Sequence, residues 1–236
     1  MPDPGLAPVS GTLGTIQGFL FDMDGTLVDS SIAVTRVWRA FALRHGLDPE
    51  RLYAAIVGCR AEDSIARFAP AGVDRAAETA RVLAEELAST EGIVAMPGAA
   101  ALLAGLPLDA WALVTSAARP LAERRMAAAG LPLPNVLITG DLVAAGKPAP
   151  DGFLAGALRL GVPIGQCLVV EDSPSGLAAG HAAGARVLAV GPGLDPAQRA
   201  REQWLPDFTH LQLRVRPGSH RAWSVIPIGL QGGISS

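Results

Sequence analysis

The sequence predicts an α/β fold in which a parallel sheet carries helices on both faces and a helical subdomain is inserted near its start. Five short apolar segments alternate with helical patterns along the 236 residues, and such alternation is typical of a parallel sheet with right-handed crossovers. One long stretch, residues 31–96, has several helical patterns and no convincing strand. The chain is 50% hydrophobic but only 5% aromatic, which favours helices packed on a sheet over an aromatic-rich sandwich.

The predicted strands are short apolar runs bounded by glycine, proline or polar residues, as expected for buried strands of a parallel sheet. The first of them stops at a pair of acids. In chain order they cover residues 17–21, 111–115, 136–139, 167–170 and 186–190.

Three helices between these strands are predicted at residues 121–129, 152–160 and 175–183. Serine followed by proline in the first turn is a signal for a helix start. Ser116, ahead of Arg119-Pro120, and Ser173, ahead of Pro174, give this signal. Glycine is common just after a helix end, and the helices are followed by Gly130, Gly161 and Gly184.

The inserted stretch is too long for an ordinary crossover, so a small helical subdomain is predicted at residues 31–96. Its helical patterns cover residues 32–45, 49–57, 61–68 and 75–89, with linkers at 28–30 and 92–97. Residues 1–30 and 97–236 would then form the main domain. For the tail, residues 217–236, the sequence leaves open an edge strand or an ordered extension.

The bulk properties exclude several classes of partner. A net charge of −3 argues against a nucleic-acid surface, and Arg124-Arg125 is interpreted as a solvated helix face. No apolar stretch reaches the roughly 18 to 20 residues that a membrane span needs, and the N-terminal residues do not resemble a secretory signal. We therefore expect a cytoplasmic protein without membrane or nucleic-acid partners, either a monomer or a small homo-oligomer.

The acids Asp22 and Asp24 follow the first strand directly and are the most informative residues of the chain. A buried carboxylate is costly unless something compensates its charge. Other polar residues follow later strands: Thr115 and Ser116, Lys147, and Glu171 with Asp172. Because ligands bind beyond the carboxyl ends of parallel strands, these clusters are expected at one edge of the sheet.

This set of side chains suits phosphoryl transfer. Asp22 can attack phosphorus and form an aspartyl-phosphate, while Asp24 can protonate the leaving alcohol and later activate water. Mg²⁺ prefers oxygen ligands, which Asp22, the backbone carbonyl of Asp24 and Asp172 would supply. Glu171 would assist directly or through water.

Thr115, the amide of Ser116 and Lys147 would hold the phosphoryl oxygens, and a helix beginning just after Ser116 would add an anion site. A calcium loop is a poor alternative for Asp22-x-Asp24-Gly25, because the third ligand position and the closing glutamate of such a loop are absent.

Four stretches resemble the haloacid dehalogenase superfamily: residues 22–29, 113–116, 146–148 and 170–176. Together with the insertion, the resemblance covers about residues 17–215. It implies a Rossmann-like core with an α-helical cap, dependence on Mg²⁺ and the residue roles given above.

Several reactions of that superfamily can be weighed. Dehalogenases lack the second acid, which is present here as Asp24. Phosphonatases use a cap lysine, and residues 31–96 contain none. A β-phosphoglucomutase-like sugar phosphate mutase remains the alternative, although Val34 and Trp38 stand where its cap histidine would serve.

The sugar- and polyol-phosphate phosphatases, of the glycerol-3-phosphatase and 2-deoxyglucose-6-phosphatase type, are the nearest resemblance. It rests on residues 58–70 and 111–119 and implies that Arg60 and Asp63 face the site and select the leaving group, with Arg119 a weaker candidate. The sequence thus predicts a Mg²⁺-dependent phosphatase of a small sugar or polyol phosphate, without identifying the ester.

Overall fold

The computed structural model describes residues 13–219 and 221–228. Residues 1–12 of the predicted main domain lie outside the described part, and so do residue 220 and residues 229–236 of the tail. The strands are β1 Thr15–Ile16, β2 Gly18–Phe21, β3 Val28–Asp29, β4 Val94–Ala95, β5 Trp111–Val114, β6 Val136–Ile138, β7 Cys167–Glu171, β8 Arg186–Val190, β9 Trp204–Leu205, β10 Leu211–Val215 and β11 Trp223–Pro227.

The described residues contain seven helices close to the predicted positions and two short ones, Ala99–Ala104 and Pro196–Arg199, that were not predicted. They are α1 Ser31–Arg44, α2 Pro49–Ile56, α3 Ala61–Phe68, α4 Arg75–Ala88, α5 Ala99–Ala104, α6 Arg119–Ala128, α7 Asp151–Leu160, α8 Pro174–Ala183 and α9 Pro196–Arg199. None of these helices has both the length and the apolar character that crossing a membrane requires.

The main sheet confirms the predicted α/β fold. Six parallel strands follow the order β6-β5-β2-β7-β8-β9. Neighbouring residues of a strand point to opposite faces, so Phe19 and Phe21 pack with α5 and α6 while Leu20 packs with α7 and α8. The sixth strand, β9, was not predicted, and two residues give too short a pattern to recognise.

Part of the tail forms a second, antiparallel sheet. β11 lies between β1 and β10, and Trp223 and Val225 join the core cluster that contains Phe19. Of the two alternatives for residues 217–236, the described part therefore forms a strand, but it lies inside a separate three-stranded sheet.

Helices α1 to α4 enclose an apolar cluster of their own, formed around Trp38, Phe41 and Ile65. The expectation that residues 31–96 hold no strand is wrong at one point, because β4 pairs antiparallel with β3. The two predicted linkers are thus hydrogen-bonded to each other. We call residues 31–96 the helical insertion.

One helix start was predicted correctly and one was not. Ser173 caps α8, since its hydroxyl accepts a hydrogen bond from the amide of Gly176 at 3.1 Å. The residue before α6 is Ala118, so the helix begins at Arg119, slightly before the predicted start at residue 121, and Ser116 does not cap it. The Ser116 hydroxyl instead donates to the carbonyl of Gly58 at 2.7 Å.

Candidate active site

Three buried carboxylates converge at the carboxyl edge of the main sheet. Strands β2 and β7 are neighbours with Phe21 opposite Val170, so Asp22 and Glu171 follow at adjacent positions although they are far apart in the chain. Ligand oxygens of Asp22, Glu171 and Asp172 all lie within 4.8 Å of one another. The alignment of two strand ends thus builds a cluster of negative charge.

Lys147 is the basic group of this cluster. Its ammonium donates hydrogen bonds to Asp22 and, at 2.6 Å, to Glu171, and only 7% of its side chain is exposed. It is the single lysine among the 19 basic residues of the chain. An ammonium is a compact point charge, whereas the guanidinium of arginine is planar. The compact cation of this chain therefore lies at the carboxylate cluster.

Glu171 is saturated by donors of the chain itself. Its Oε2 accepts from the Asp172 amide at 2.8 Å, the Ser173 amide at 2.8 Å and the Ser173 hydroxyl at 2.9 Å, while Oε1 accepts from Lys147. Of the two roles predicted for Glu171, this favours the indirect one, through water.

Asp172 is set in place by the first motif. Thr26 donates its hydroxyl hydrogen to Asp172 Oδ1 at 3.2 Å, and Gly25 lies directly against the same carboxylate. A glycine also gives room to Glu171, because a Cβ atom at Gly176 would overlap the Glu171 carboxylate.

The cluster carries more negative charge than Lys147 compensates. Burial raises the pKa of Asp22 to about 7, against the opposing effect of Lys147 and with the help of the Glu171 charge. Burial likewise raises the pKa of Asp172 well above its usual value. Buried carboxylates in excess are the donor set that a hard divalent cation prefers, so the residues present fit Mg²⁺.

Asp24 stands apart from the cluster. Its Oδ1 accepts from the Ser30 hydroxyl at 2.6 Å, and its Oδ2 accepts from Arg125 at 2.8 Å. The prediction of a solvated helix face at Arg124-Arg125 is therefore wrong for Arg125, whose side chain is only 5% exposed. Arg124 is exposed, as expected.

Arg125 extends the contact into the helical insertion. Its Nη2 donates to Glu86 Oε1 at 3.2 Å, and Trp38 Nε1 donates to the same oxygen at 3.3 Å. The sequence analysis missed Arg125 and Glu86. A signal existed, because each stands four residues after a buried apolar residue of its own helix, Leu121 and Val82 respectively.

Thr115 and Ser116 lie where they were expected, after β5. Thr115 is buried and its hydroxyl accepts from the Ala117 amide at 3.1 Å. The Ser116 hydroxyl is engaged by the helical insertion through the carbonyl of Gly58. Both residues line the cavity above Asp22.

Arg60 also lines this cavity, but Asp63 does not. Asp63 holds the Arg60 guanidinium through two hydrogen bonds, Nε to Oδ2 at 2.6 Å and Nη2 to Oδ1 at 2.9 Å. Arg60 Nη1 reaches across to the main domain and donates to the Val143 carbonyl at 3.2 Å. Arg119 is exposed and pairs with Glu123, so the structure does not bring it to the cavity.

The cavity has a volume of about 210 Å³ and lies between the helical insertion and the sheet edge. Its floor is polar and includes Asp22, Asp24 and Asp172. Apolar side chains of the lining include Val34, Trp38, Tyr53, Ile56 and Leu83 of the insertion and Leu121 of α6.

The loop between α2 and α3 rests on the main domain and closes the cavity on one side. Ser175 donates to the Val57 carbonyl at 3.3 Å. Gly58 has a positive φ of 77° and lies so close to Ser173 that a Cβ atom would overlap the serine hydroxyl. Together with the contact from Ser116, these interactions hold this loop of the insertion against the main domain.

Comparisons with known proteins agree with this architecture. The haloacid dehalogenase-like hydrolase profile matches residues 16–184. Over 181 residues the chain is 49% identical to hexitol phosphatase A of Escherichia coli K12, covering 74% of this chain and 82% of that protein. Glycerol-1-phosphate phosphohydrolase 2 of Saccharomyces cerevisiae is 34% identical over 188 residues, with 74% of each chain covered.

A solved structure shows the same fold. A mutant of CbbY from Rhodobacter sphaeroides, in complex with xylulose-1,5-bisphosphate, superposes with a TM-score of 0.68 at 28% identity. The match covers 83% of this chain and 96% of that one.

Proposed function

The chain belongs to the haloacid dehalogenase-like hydrolases and is a phosphoric monoester hydrolase, and on that basis we propose that it removes phosphate from a small polyol or sugar phosphate. The reaction would pass through an aspartyl-phosphate on Asp22 and depend on Mg²⁺. One observation carries the proposal: the cavity between the helical insertion and the sheet edge is lined by Asp22, paired with Lys147, and by a separate second acid, Asp24.

In the first step a carboxylate oxygen of Asp22 attacks phosphorus, and the bond between phosphorus and the ester oxygen breaks. Asp24 gives its proton to the leaving alkoxide, which departs as the alcohol. Lys147, the Thr115 hydroxyl and the Ser116 amide hold the phosphoryl oxygens. Positioned donors of this kind stabilise the charge of the transition state without reorganising during the reaction.

In the second step Asp24 takes a proton from water, whose oxygen attacks the phosphorus of the aspartyl-phosphate. The bond from phosphorus to Asp22 breaks, and inorganic phosphate and the free carboxylate are regenerated. The two acids lie in different environments, which suits their different roles. Asp22 is paired with a lysine and Asp24 with an arginine and a serine.

Asp22, Asp172 and the backbone carbonyl of Asp24 would hold Mg²⁺, with Glu171 acting through water. When bound, the ion would reduce the electrostatic repulsion between the Asp22 carboxylate and a dianionic phosphate. The raised pKa values of Asp22 and Asp172 support this part of the proposal, since they arise first from burial and then from the neighbouring carboxylates, and a bound cation would offset both effects.

Residues 31–96 would act as the cap that excludes bulk water and opens to release product. The names of the relatives, a hexitol phosphatase and a glycerol-1-phosphate phosphohydrolase, support a polyol as the leaving alcohol. Among the described residues of the cap that line the cavity, Arg60, held by Asp63, is the cation, and Glu62 and Glu86 are the anions.

The mutase alternative has less support. The cap contains no lysine, and Val34 and Trp38 give an apolar wall at the position where a cap histidine would serve. A mutase would convert a hexose 1-phosphate into its 6-phosphate with little release of inorganic phosphate, and a hexose bisphosphate would activate it.

The proposal is tested by measuring phosphate release from C2 to C6 sugar and polyol phosphates, with Mg²⁺ or with EDTA. We expect turnover of polyol phosphates that is lost in EDTA and lost in Asp22→Asn. Asp109→Asn, which changes an exposed aspartate paired with Arg221, is the matched control and should retain wild-type activity. Turnover that survives in Asp22→Asn, or that is indifferent to chelation, would contradict the proposed mechanism.

A further inference from the structure

A hydrogen-bond network of three further side chains connects Asp24 to the helical insertion. Arg125 on α6 donates to Asp24 Oδ2 at 2.8 Å through one nitrogen and to Glu86 Oε1 at 3.2 Å through another. Glu86 belongs to α4 and also accepts from Trp38 on α1 at 3.3 Å. The network therefore crosses from the main domain to the insertion and is complete only when the two lie against each other.

This arrangement costs folding free energy. The side chains of Arg125 and Glu86 are only 5% and 7% exposed, and a buried ion pair often stabilises a protein less than apolar residues of similar volume would. In addition, Arg125 Nε is buried without a hydrogen-bond partner among the described residues. A leucine or methionine between Leu121 and Met126 would continue the buried face of α6 without these costs.

The geometry at Asp24 indicates what the arginine does. Both carboxylate oxygens of Asp24 are fixed, one by the Ser30 hydroxyl at 2.6 Å and the other by Arg125. Ser30 precedes α1 but makes no capping hydrogen bond there, so its hydroxyl serves Asp24 instead. The planar guanidinium then sets the angle of the carboxylate from the other side.

We propose that Arg125 is a positioning residue that orients Asp24 for proton transfer to the leaving alcohol, and that Glu86 holds Arg125 in place when the insertion is closed. This inference rests on the proposed function, in which Asp24 is the acid. It gives the insertion a second role besides excluding water. When the insertion lies against the main domain, Glu86 binds Arg125, and Arg125 in turn orients Asp24.

Leaving groups of different basicity separate this role from a structural one. An alkyl alcohol leaves as a strong base and needs a proton, whereas p-nitrophenolate leaves readily without one. For Arg125→Met we expect kcat/KM, which reports only the steps up to release of the alcohol, to fall about 100-fold with sorbitol 6-phosphate but no more than about threefold with p-nitrophenyl phosphate, because only the first ester needs general acid catalysis in those steps. The later attack of water on the aspartyl-phosphate is common to both esters and does not enter kcat/KM.

Three further variants complete the experiment. Arg124→Met changes the exposed neighbour and should behave as wild type with both esters. Glu86→Gln should show the pattern of Arg125→Met in weaker form. In Arg125→Ala, added guanidinium should restore part of the turnover of sorbitol 6-phosphate.

Equal losses of kcat/KM with both esters, or an Arg125→Met variant with the wild-type kcat/KM for sorbitol 6-phosphate, would overturn the inference. A wild-type protein that hydrolyses no ester, or an Asp24→Asn variant with full activity, would instead remove the proposed function and this inference together. If Arg125→Met does not fold, Glu86→Gln replaces it in the test. A larger loss with sorbitol 6-phosphate than with p-nitrophenyl phosphate then supports the inference, and equal losses overturn it.

Discussion

Gly25 lies so close to Asp172 that a Cβ atom at Gly25 would overlap the Asp172 carboxylate. Its φ of 85° is also in the left-handed region that other residues rarely adopt. The glycine that follows Asp22 and Asp24 is therefore required by an acid that is distant in the sequence. The next residue, Thr26, is hydrogen-bonded to the same Asp172, 146 residues further along the chain. Residues 22–29 and 170–176 are therefore in direct contact.

Gly25→Ala should accordingly impair catalysis more than folding. The new methyl group displaces the Asp172 carboxylate, and a misplacement of about 1 Å can cost about 100-fold in rate. Gly130→Ala is the matched control, since Gly130 has a similar φ of 67° but no atom within 4 Å of the added Cβ. Kinetics and urea unfolding should show that Gly130→Ala loses about 1 kcal/mol of stability and no activity. Equal activity of the two variants would contradict the proposed role of the close contact.

Lys147→Met should lower kcat by about 100- to 1,000-fold, the usual effect of removing one charge-stabilising donor. Lys147→Arg keeps the charge but replaces a compact ammonium by a planar group in a site that is only 7% exposed, so it should recover only part of the rate.

Because Lys147 is the only lysine, ¹⁵N-lysine labelling gives one side-chain ammonium signal. Inorganic phosphate with Mg²⁺ should shift that signal, and an unchanged signal at saturating phosphate would remove Lys147 from phosphate binding.

Glu78 should make the stability of the insertion sensitive to acid. Burial acts to raise the pKa of Glu78, but hydrogen bonds from Arg44 and His45 outweigh it and lower the pKa below its ordinary value of 4.5. A lowered pKa means that Glu78 contributes stability above pH 4.5, and that this contribution is lost as the pH falls through the folded-state pKa.

Urea unfolding of Glu78→Gln checks this expectation. At pH 7 the variant should be less stable than wild type by about 2 kcal/mol, the scale of hydrogen bonds to a charged group, and the difference should shrink towards pH 3. Glu123→Gln, an exposed glutamate paired with Arg119, should change stability little at any pH. A difference for Glu78→Gln that stays constant with pH would exclude the ion-pair explanation.

The two cysteines should differ in their reaction with iodoacetamide. Burial raises the pKa of the Cys167 thiol to about 11, so at pH 8 only about one molecule in a thousand carries the reactive thiolate. Burial also raises the pKa of Cys59, but this residue is only partly buried and lines the cavity. Mass spectrometry should find slow labelling of Cys59, protection by a bound polyol phosphate, and labelling of Cys167 only after unfolding. Comparable rates for both thiols in the native protein would contradict the burial of Cys167.

The strands, most helices and the acid pair were predictable because their signals are local. The apolar run before Asp22 and Asp24 predicts a buried strand, and the cost of burying two acids at its end predicts a ligand there. The same holds for the apolar run before Glu171 and Asp172. The order of strands and helices then restricts the topology to a parallel sheet. These properties depend on neighbours in the sequence and on the few ways in which strands and helices pack.

The tertiary structure decided which distant groups meet. Arg125 looked like a solvated arginine, yet it pairs with Asp24, 101 residues away, and with Glu86, 39 residues away. Ser116 looked like a helix cap and instead contacts Gly58 across the cavity, while the two linkers of the insertion pair with each other as β3 and β4. A side chain's partner depends on how separate elements pack in space, and the short-range pattern around Arg125 is the same whether the opposite surface is water or Glu86.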